Sequence, residues 1–287
     1  MVDAKLNEKL VFGRDYARLG RSFGKHMYFQ WLRKNSFGIQ SLMLLMLLST
    51  VLLHCSGKES SSDDPDTLFR EAEEALKDEH YVTALEKFRD IKNRFPYSSR
   101  AVDAELRIAD AYFEQESYLE AESAYEIFKE LHPTHPKIDY VQFRIGLSYY
   151  KQIPDNSARD LTAAYHAIES FETLNDKFPS SEYNAKGKEF IVEARKRLAE
   201  HEAYVADFYF RRKHYLSASY RYSALLKDFS QLGYDEESLY RLGQSYANVL
   251  MWGNAKDAYQ RLLAEFPNSD LKSDVQAALQ DLNKHSP

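Results

Sequence analysis

The sequence has a single cysteine, Cys55, among 287 residues, so no internal disulfide can form and no CxxC redox or zinc motif exists. It holds only 10 glycines and 8 prolines, which leaves few places where a helix would be broken or the chain sharply turned. No HExxH, GxSxG or GxxxxGK run occurs, and the dispersed glycines build no phosphate-cradling loop. These absences remove the signatures of metallopeptidase, serine-hydrolase and P-loop chemistry. The expectation is a protein that is not an enzyme and needs no cofactor. An excess of basic charge is missing too. The net charge is −6; residues 1–54 hold eight Lys or Arg against three Asp or Glu, which leaves −11 for the rest. Nucleic-acid binding requires clustered Lys and Arg to neutralise phosphates, so no nucleic acid is expected as a partner.

Aromatic residues are abundant, with 21 Tyr and 17 Phe, and they recur in register. From Val102 to Pro133, small residues stand at Ala109 and Ala121, rings at Tyr112, Tyr125 and Phe128, and a proline closes the unit. This pattern predicts two antiparallel helices, about Val102–Glu114 and Tyr118–Leu131, with Pro133 unable to extend the second. The same marks fall at Ala72, Ala84, Phe88 and Pro96, and again at Gly243, Tyr246, Ala255, Tyr259 and Pro267. Two looser copies run through Gly146, Tyr149, Ala167, Phe171 and Pro179, and through Ala206, Tyr209, Ala218, Tyr222 and Ser230. The pattern resembles the tetratricopeptide repeat. It implies an all-α solenoid of about five helical hairpins, enough for stacked units to cover one another's apolar faces.

The ends of the array are also legible. Asp66 or Thr67 is positioned to cap a helix from Leu68 to Asp78, and Ser99 to cap the next hairpin. The joint His132-Pro133-Thr134-His135-Pro136 reads as a stiff linker; its two histidines have no third metal ligand nearby in sequence. Lys151 to Leu161, with Pro154 and small polar residues, predicts a protruding loop. Residues 181–212 contain no proline and predict one long helix or two nearly collinear ones, with Arg195, Lys196 and Arg197 on its polar face as candidate partner contacts or solvated charge. Glu71, Glu73 and Glu74 read as solubilising charge on a helix exterior. A final helix, Asp270 to Leu282, turns Val275, Leu279 and Leu282 inward and fits a polar-backed cap on the last repeat.

Ahead of the repeats, Arg33 and Lys34 precede an uncharged run of 17 residues, Phe37 to Leu53, and then His54-Cys55-Ser56. This run is short for a membrane span and slightly long for a signal-peptide core. Its end resembles a bacterial lipobox, in which the cysteine is lipidated and becomes the first residue after cleavage; an uncleaved anchor is the alternative. His54 stands where that motif has a small residue. The long stretch ahead of the core would be shortened by a start at Met27. The small, polar, acidic residues after Cys55 predict a flexible tether.

The lipobox-like end, the tether, the five repeats and the joint Pro133-Thr134-His135-Pro136-Lys137-Ile138-Asp139-Tyr140 together resemble the BamD family of outer-membrane assembly lipoproteins. The resemblance covers Cys55 to about Asp270. It implies a lipid anchor at Cys55 on the periplasmic face of the outer membrane. It also implies two principal partners, unfolded outer-membrane proteins and the periplasmic domains of a β-barrel insertase, with other assembly lipoproteins as further ones. The corresponding organisation is residues 1–54 as extension and signal peptide, 55–66 as tether, 67–179 as repeats one to three that receive peptide segments, and 180–287 as repeats four and five plus the cap that dock on the insertase. Tyr112, Asp139, Tyr140 and Arg144, on or beside first helices near the joint, are the peptide-binding candidates. The alternative function is a periplasmic repeat scaffold coordinating cell-wall synthesis with division, which shares the Phe-Pro-x-Ser repeat ends.

Overall fold

The computed structural model describes residues 63–285. The apolar run, Cys55 and most of the tether lie outside the described residues. Eleven α-helices and no strands are present among the described residues. They pair as α1 (Pro65–Lys77) with α2 (Tyr81–Arg94), α3 (Ser99–Glu114) with α4 (Tyr118–Leu131), and α5 (Ile138–Lys151) with α6 (Thr162–Lys177). A long α7 (Asn184–Arg211) follows, then α8 (Tyr215–Asp228), α9 (Asp235–Asn248) paired with α10 (Trp252–Glu265), and α11 (Lys272–His285). Each helix packs on the next, and first helices of neighbouring hairpins also touch, α1 with α3, α5 with α7, and α7 with α9. This is the repeat solenoid expected from the spacing. Among the described residues no helix is long and apolar enough to cross a membrane.

Three boundaries differ from the sequence reading. The cap of α1 is Asp64, whose carboxylate accepts from the Thr67 N–H at 2.9 Å; Pro65 begins the helix because the first turn needs no amide donor there. Ser98 rather than Ser99 caps α3, accepting from the Arg100 N–H at 3.2 Å. The last helix starts at Lys272, after a turn in which Ser269 accepts from the Leu271 N–H.

Tight reversal inside the hairpins is achieved with few glycines. Glu79, Glu116, Lys213 and Leu250 adopt φ of 60°, 62°, 61° and 61°, the left-handed conformation that ends a helix. The amide after each reaches back five residues, as from His80 to the Ala75 carbonyl at 2.8 Å and from Ser117 to the Tyr112 carbonyl at 2.9 Å. Those bonds satisfy carbonyls that a helix end would otherwise leave open.

Between the paired helices a small residue faces a ring. A methyl group on Gly146 would lie 2.8 Å from the Phe171 ring, and one on Gly243 would overlap the Tyr259 ring. Phe171 and Tyr259 are fully or almost fully buried. The insertion at 152–161 does not protrude freely as expected. Arg197 donates to the Pro154 carbonyl and to Asp155, each at 3.0 Å, and Ser157 donates to Glu200 at 2.7 Å. Leu161 is buried with Ala164, Ala194 and Leu198, so the loop is stapled to α7 by apolar as well as polar contact. The segment after the third hairpin is one continuous helix of 28 residues. Its first half covers hairpin three through Phe190, stacked on Phe171 at 5.5 Å, and its second half is the first helix of the α7–α8 hairpin.

Gly243→Ala is expected to destabilise the protein by about 1–3 kcal/mol through overpacking against Tyr259. Gly253→Ala, in α10 with open space around it, is expected to be neutral or to stabilise by up to about 1 kcal/mol. Thermal midpoints of the two variants check this, and equal loss in both would contradict the close-packing account.

Candidate binding groove

The first helices of three hairpins, together with the turn entering α7, enclose a groove of about 840 Å³. Its lining includes Phe69 from α1, Arg100 and Arg107 from α3, Tyr140 from α5, and Glu182 and Tyr183 ahead of α7. First helices supply this lining because the second helices lie behind them, joined through the ring-and-small-residue contacts.

A polar chain crosses the floor. Arg107 forks onto Glu73 of α1, with Nη2 to Oε2 at 2.6 Å, and also donates Nη1 to Asp110 at 2.8 Å. Asp110 is 5% exposed and further accepts from the Tyr125 hydroxyl at 2.6 Å and the Tyr140 hydroxyl at 2.8 Å. Arg144 then donates Nε to the Tyr125 oxygen at 2.8 Å, and its guanidinium lies 3.7 Å from the Phe113 ring centre. Four helices are therefore linked by one set of directional bonds. A buried carboxylate is tolerable only when so satisfied, since an unpaired one would bear the full desolvation penalty.

The candidates from sequence separate here. Asp139 and Tyr140 line the groove. Asp139 also accepts from the Tyr140 N–H at 2.8 Å and from Ser181 Oγ at 2.7 Å, which fixes the turn before α7. Arg144 is largely buried and sits behind the lining. Tyr112 does not line the groove: its ring packs between the first two hairpins and its hydroxyl accepts from Arg89 of α2. Glu73 and Glu71 are not merely solubilising charge. Glu73 holds Arg107, and Glu71 pairs with Lys87 at 2.8 Å. Asp110 and Arg107 are not among the sequence candidates and Tyr125 reads there only as a repeat ring, although acid and arginine 34 residues apart is a readable signal.

On α7, Arg195 donates to the Asp228 carbonyl at 2.8 Å and Arg197 is engaged by the insertion loop; Lys196 is exposed. At the linker, His132 meets Glu105 at 2.6 Å, and the rings of His132 and His135 pack on Phe128 at 4.8 and 5.1 Å. Burial and the nearby His132 push the His135 pKa down. His135 Nδ1 accepts from the Lys137 N–H at 3.2 Å, so the histidines brace the turn that carries Lys137 to the groove rim.

Burial and the Asp110 carboxylate raise the pKa of both Tyr125 and Tyr140 above the ordinary 10, which keeps them hydrogen-bond donors. Below pH 10 folded and unfolded chains are equally protonated at these groups, and above it the unfolded chain alone releases the protons. Stability should therefore fall as pH rises beyond 10. Guanidinium midpoints measured at pH 8, 10, 11 and 12 check the sign, and a Tyr125→Phe/Tyr140→Phe double variant should show a shallower decline. An unchanged slope in that variant would count against the assignment.

The family described as "YfiO: Outer membrane lipoprotein" matches residues 61–260. The outer membrane protein assembly factor BamD of Neisseria gonorrhoeae is 28% identical over 248 residues, covering 80% of this chain and 93% of the relative. The assembly factor BamD of Rickettsia prowazekii is 29% identical over 231 residues, covering 79% and 92%. Among solved structures, the TPR2AB-domain:pHSP90-complex of yeast Sti1 aligns over 76% of this chain and 84% of its own, at 16% identity and a TM-score of 0.40.

Proposed function

The chain belongs to the YfiO family of outer membrane lipoproteins, and on that premise we propose that it is an outer-membrane protein assembly factor that works by binding and handover, without bond chemistry. The observation that carries the reading is the groove with its rigid polar floor. Its first three hairpins receive terminal segments of unfolded outer-membrane proteins. Phe69, Tyr140 and Tyr183 give an aromatic side chain apolar walls, and the stacked hairpins give a chain segment a long trough. Lys137 takes a terminal carboxylate: Arg100 and Arg107 are already committed to Asp66, Asp103, Glu73 and Asp110, whereas Lys137 is exposed and has no ion pair among the described residues.

The later hairpins dock on the periplasmic domains of a β-barrel insertase. Of the sequence candidates for this contact, Arg195 and Arg197 are engaged within the molecule, and Lys196 stays available. The better surface is the turn between α7 and α8. Arg211, Arg212 and Lys213 are exposed there in succession, flanked by Tyr204, Phe208, Leu216 and Tyr220, which are 37–69% exposed. Arg212 lies 4.2 Å from the Phe208 ring centre, and Arg211 and Lys213 have no ion pair among the described residues. Exposed rings beside unpaired cations suit a partner surface carrying carboxylates. The acidic tether and a lipid on Cys55 hold the receptor at the periplasmic face of the outer membrane, where other assembly lipoproteins join the complex.

Two variant sets separate the surfaces. Lys137→Glu or Tyr183→Ala is expected to weaken binding of a Phe-terminated peptide about tenfold, on the scale of one lost charged contact. Arg211→Glu/Lys213→Glu is expected to reduce association with purified insertase periplasmic domains to a similar degree while leaving peptide affinity intact. Peptide binding unchanged by the groove variants would sink the groove assignment. Mass spectrometry of the mature N-terminus checks the anchor, with a lipid-modified Cys55 as the expected species.

A further inference from the structure

Glu73 and Arg107 are 34 residues apart, and the same interval separates Asp110 from Arg144 and Asp207 from Arg241. Around the last two pairs the intermediate residues coincide as well. Phe113, Tyr118 and Tyr125 follow Asp110 at the intervals at which Phe210, Tyr215 and Tyr222 follow Asp207.

The geometry repeats with the spacing. Tyr125 donates to Asp110 at 2.6 Å, and Tyr222 donates to Asp207 at 2.5 Å. Arg144 lies 3.7 Å from the Phe113 ring centre, and Arg241 lies 4.9 Å from that of Phe210. Phe113 meets Tyr118 edge-on at 5.1 Å, and Phe210 meets Tyr215 edge-on at 5.5 Å. One detail differs. Arg144 donates to the Tyr125 oxygen, whereas Arg241 donates Nε to Glu237 of its own helix at 2.7 Å and reaches the set through the Phe210 ring, which meets Tyr222 edge-on at 6.4 Å. Each arginine comes from the first helix of the following hairpin, so each set bridges a joint: hairpin two to three, and the α7–α8 hairpin to the α9–α10 hairpin.

The joint between hairpin three and α7 lacks this arrangement. Leu147 stands where the acid would be, and Phe190, which follows Pro179 by the same eleven residues as Arg107 follows Pro96 and Arg144 follows Pro133, stands where the arginine would be. Rings fill it instead, with Phe143 stacked on Tyr183 at 5.1 Å, and the insertion loop braces it from outside. Polar bonds of a different kind also hold it, from Ser181 to Asp139 at 2.7 Å, from Arg197 to the Pro154 carbonyl at 3.0 Å and from Ser157 to Glu200 at 2.7 Å. A guanidinium lying on a ring and facing a tyrosine held by an aspartate defines both distance and angle.

We infer that Arg144 and Arg241 are equivalent positioning residues, each locking one hairpin-to-hairpin joint, so that the first lock shapes the groove and the second shapes the later docking surface. The inference rests on the proposed function only for what the two surfaces bind. Lysine keeps the charge of arginine but not its planar face, so it does not replace the lock.

Hydrogen–deuterium exchange of the full-length lipidated protein in detergent, with binding of a Phe-terminated peptide, tests this. Tyr125→Phe and Arg144→Lys should each speed exchange across residues 132–148 and weaken peptide binding, both by about fivefold, the scale of one lost hydrogen bond. Residues 229–245 should be unaffected. Tyr222→Phe and Arg241→Lys should speed exchange across 229–245 alone and leave peptide affinity within about twofold. Exchange that rises in both joints with any one variant, or in neither, overturns the lock, as does wild-type behaviour of the lysine variants. If the wild-type protein does not bind the peptide, the ligand assigned to the groove is wrong, and the exchange pattern still decides whether the locks exist.

Discussion

Everything in this molecule depends on how closely two helices approach within a hairpin. Gly146 against Phe171 and Gly243 against Tyr259 leave no room for even one methyl group, and alanines occupy the equivalent crossings in the other hairpins. Because the ring fills the space that the small residue leaves, each hairpin closes at a fixed separation and exposes one continuous apolar face. That face cannot remain in water, so hairpins stack, and stacking brings their first helices side by side. The groove is a consequence of this order of events.

Packing alone does not make a receptor with a defined shape. Apolar faces attract without preferred direction, whereas binding a chain segment requires walls held at a constant distance. The polar chain from Glu73 through Arg107, Asp110 and Tyr125 to Arg144 supplies direction. Its inner members, Asp110 and Tyr125, lie buried, where low dielectric strengthens each bond and an unsatisfied partner would be costly. The floor of the groove is thus built from charged groups already paired with one another, and the proposed function assigns recognition to the rings and to Lys137 at the rim.

A binding-and-handover role fits this division. The groove belongs to the first three hairpins, and the exposed basic and aromatic turn belongs to the α7–α8 hairpin. The two are joined by one 28-residue helix, about 42 Å long at 1.5 Å per residue. The insertion loop is bonded to the middle of that helix, which makes it a brace between the surfaces and not an appendage.

Repetition of small and aromatic residues at constant offsets was sufficient to read the all-α solenoid, the hairpin pairing and the capping helix, because helix crossing distance is a local property of side-chain size. Helix starts differ from the sequence expectation by one to three residues where Asp64, Ser98 and the Ser269 turn compete with neighbouring residues of similar capping ability. The site was legible only in part. Asp139 and Tyr140 line the groove, but whether Tyr112, Arg144, Arg195 or Arg197 faces a ligand or another helix depends on which hairpin lies behind it, and side-chain type carries no record of that. Glu73 reads as surface charge until Arg107 is brought beside it by stacking. Tertiary structure alone decided which charges are consumed inside the protein and which, such as Lys137, Arg211 and Lys213, have no ion pair among the described residues, because ion pairing is a matter of separation in space and not of composition.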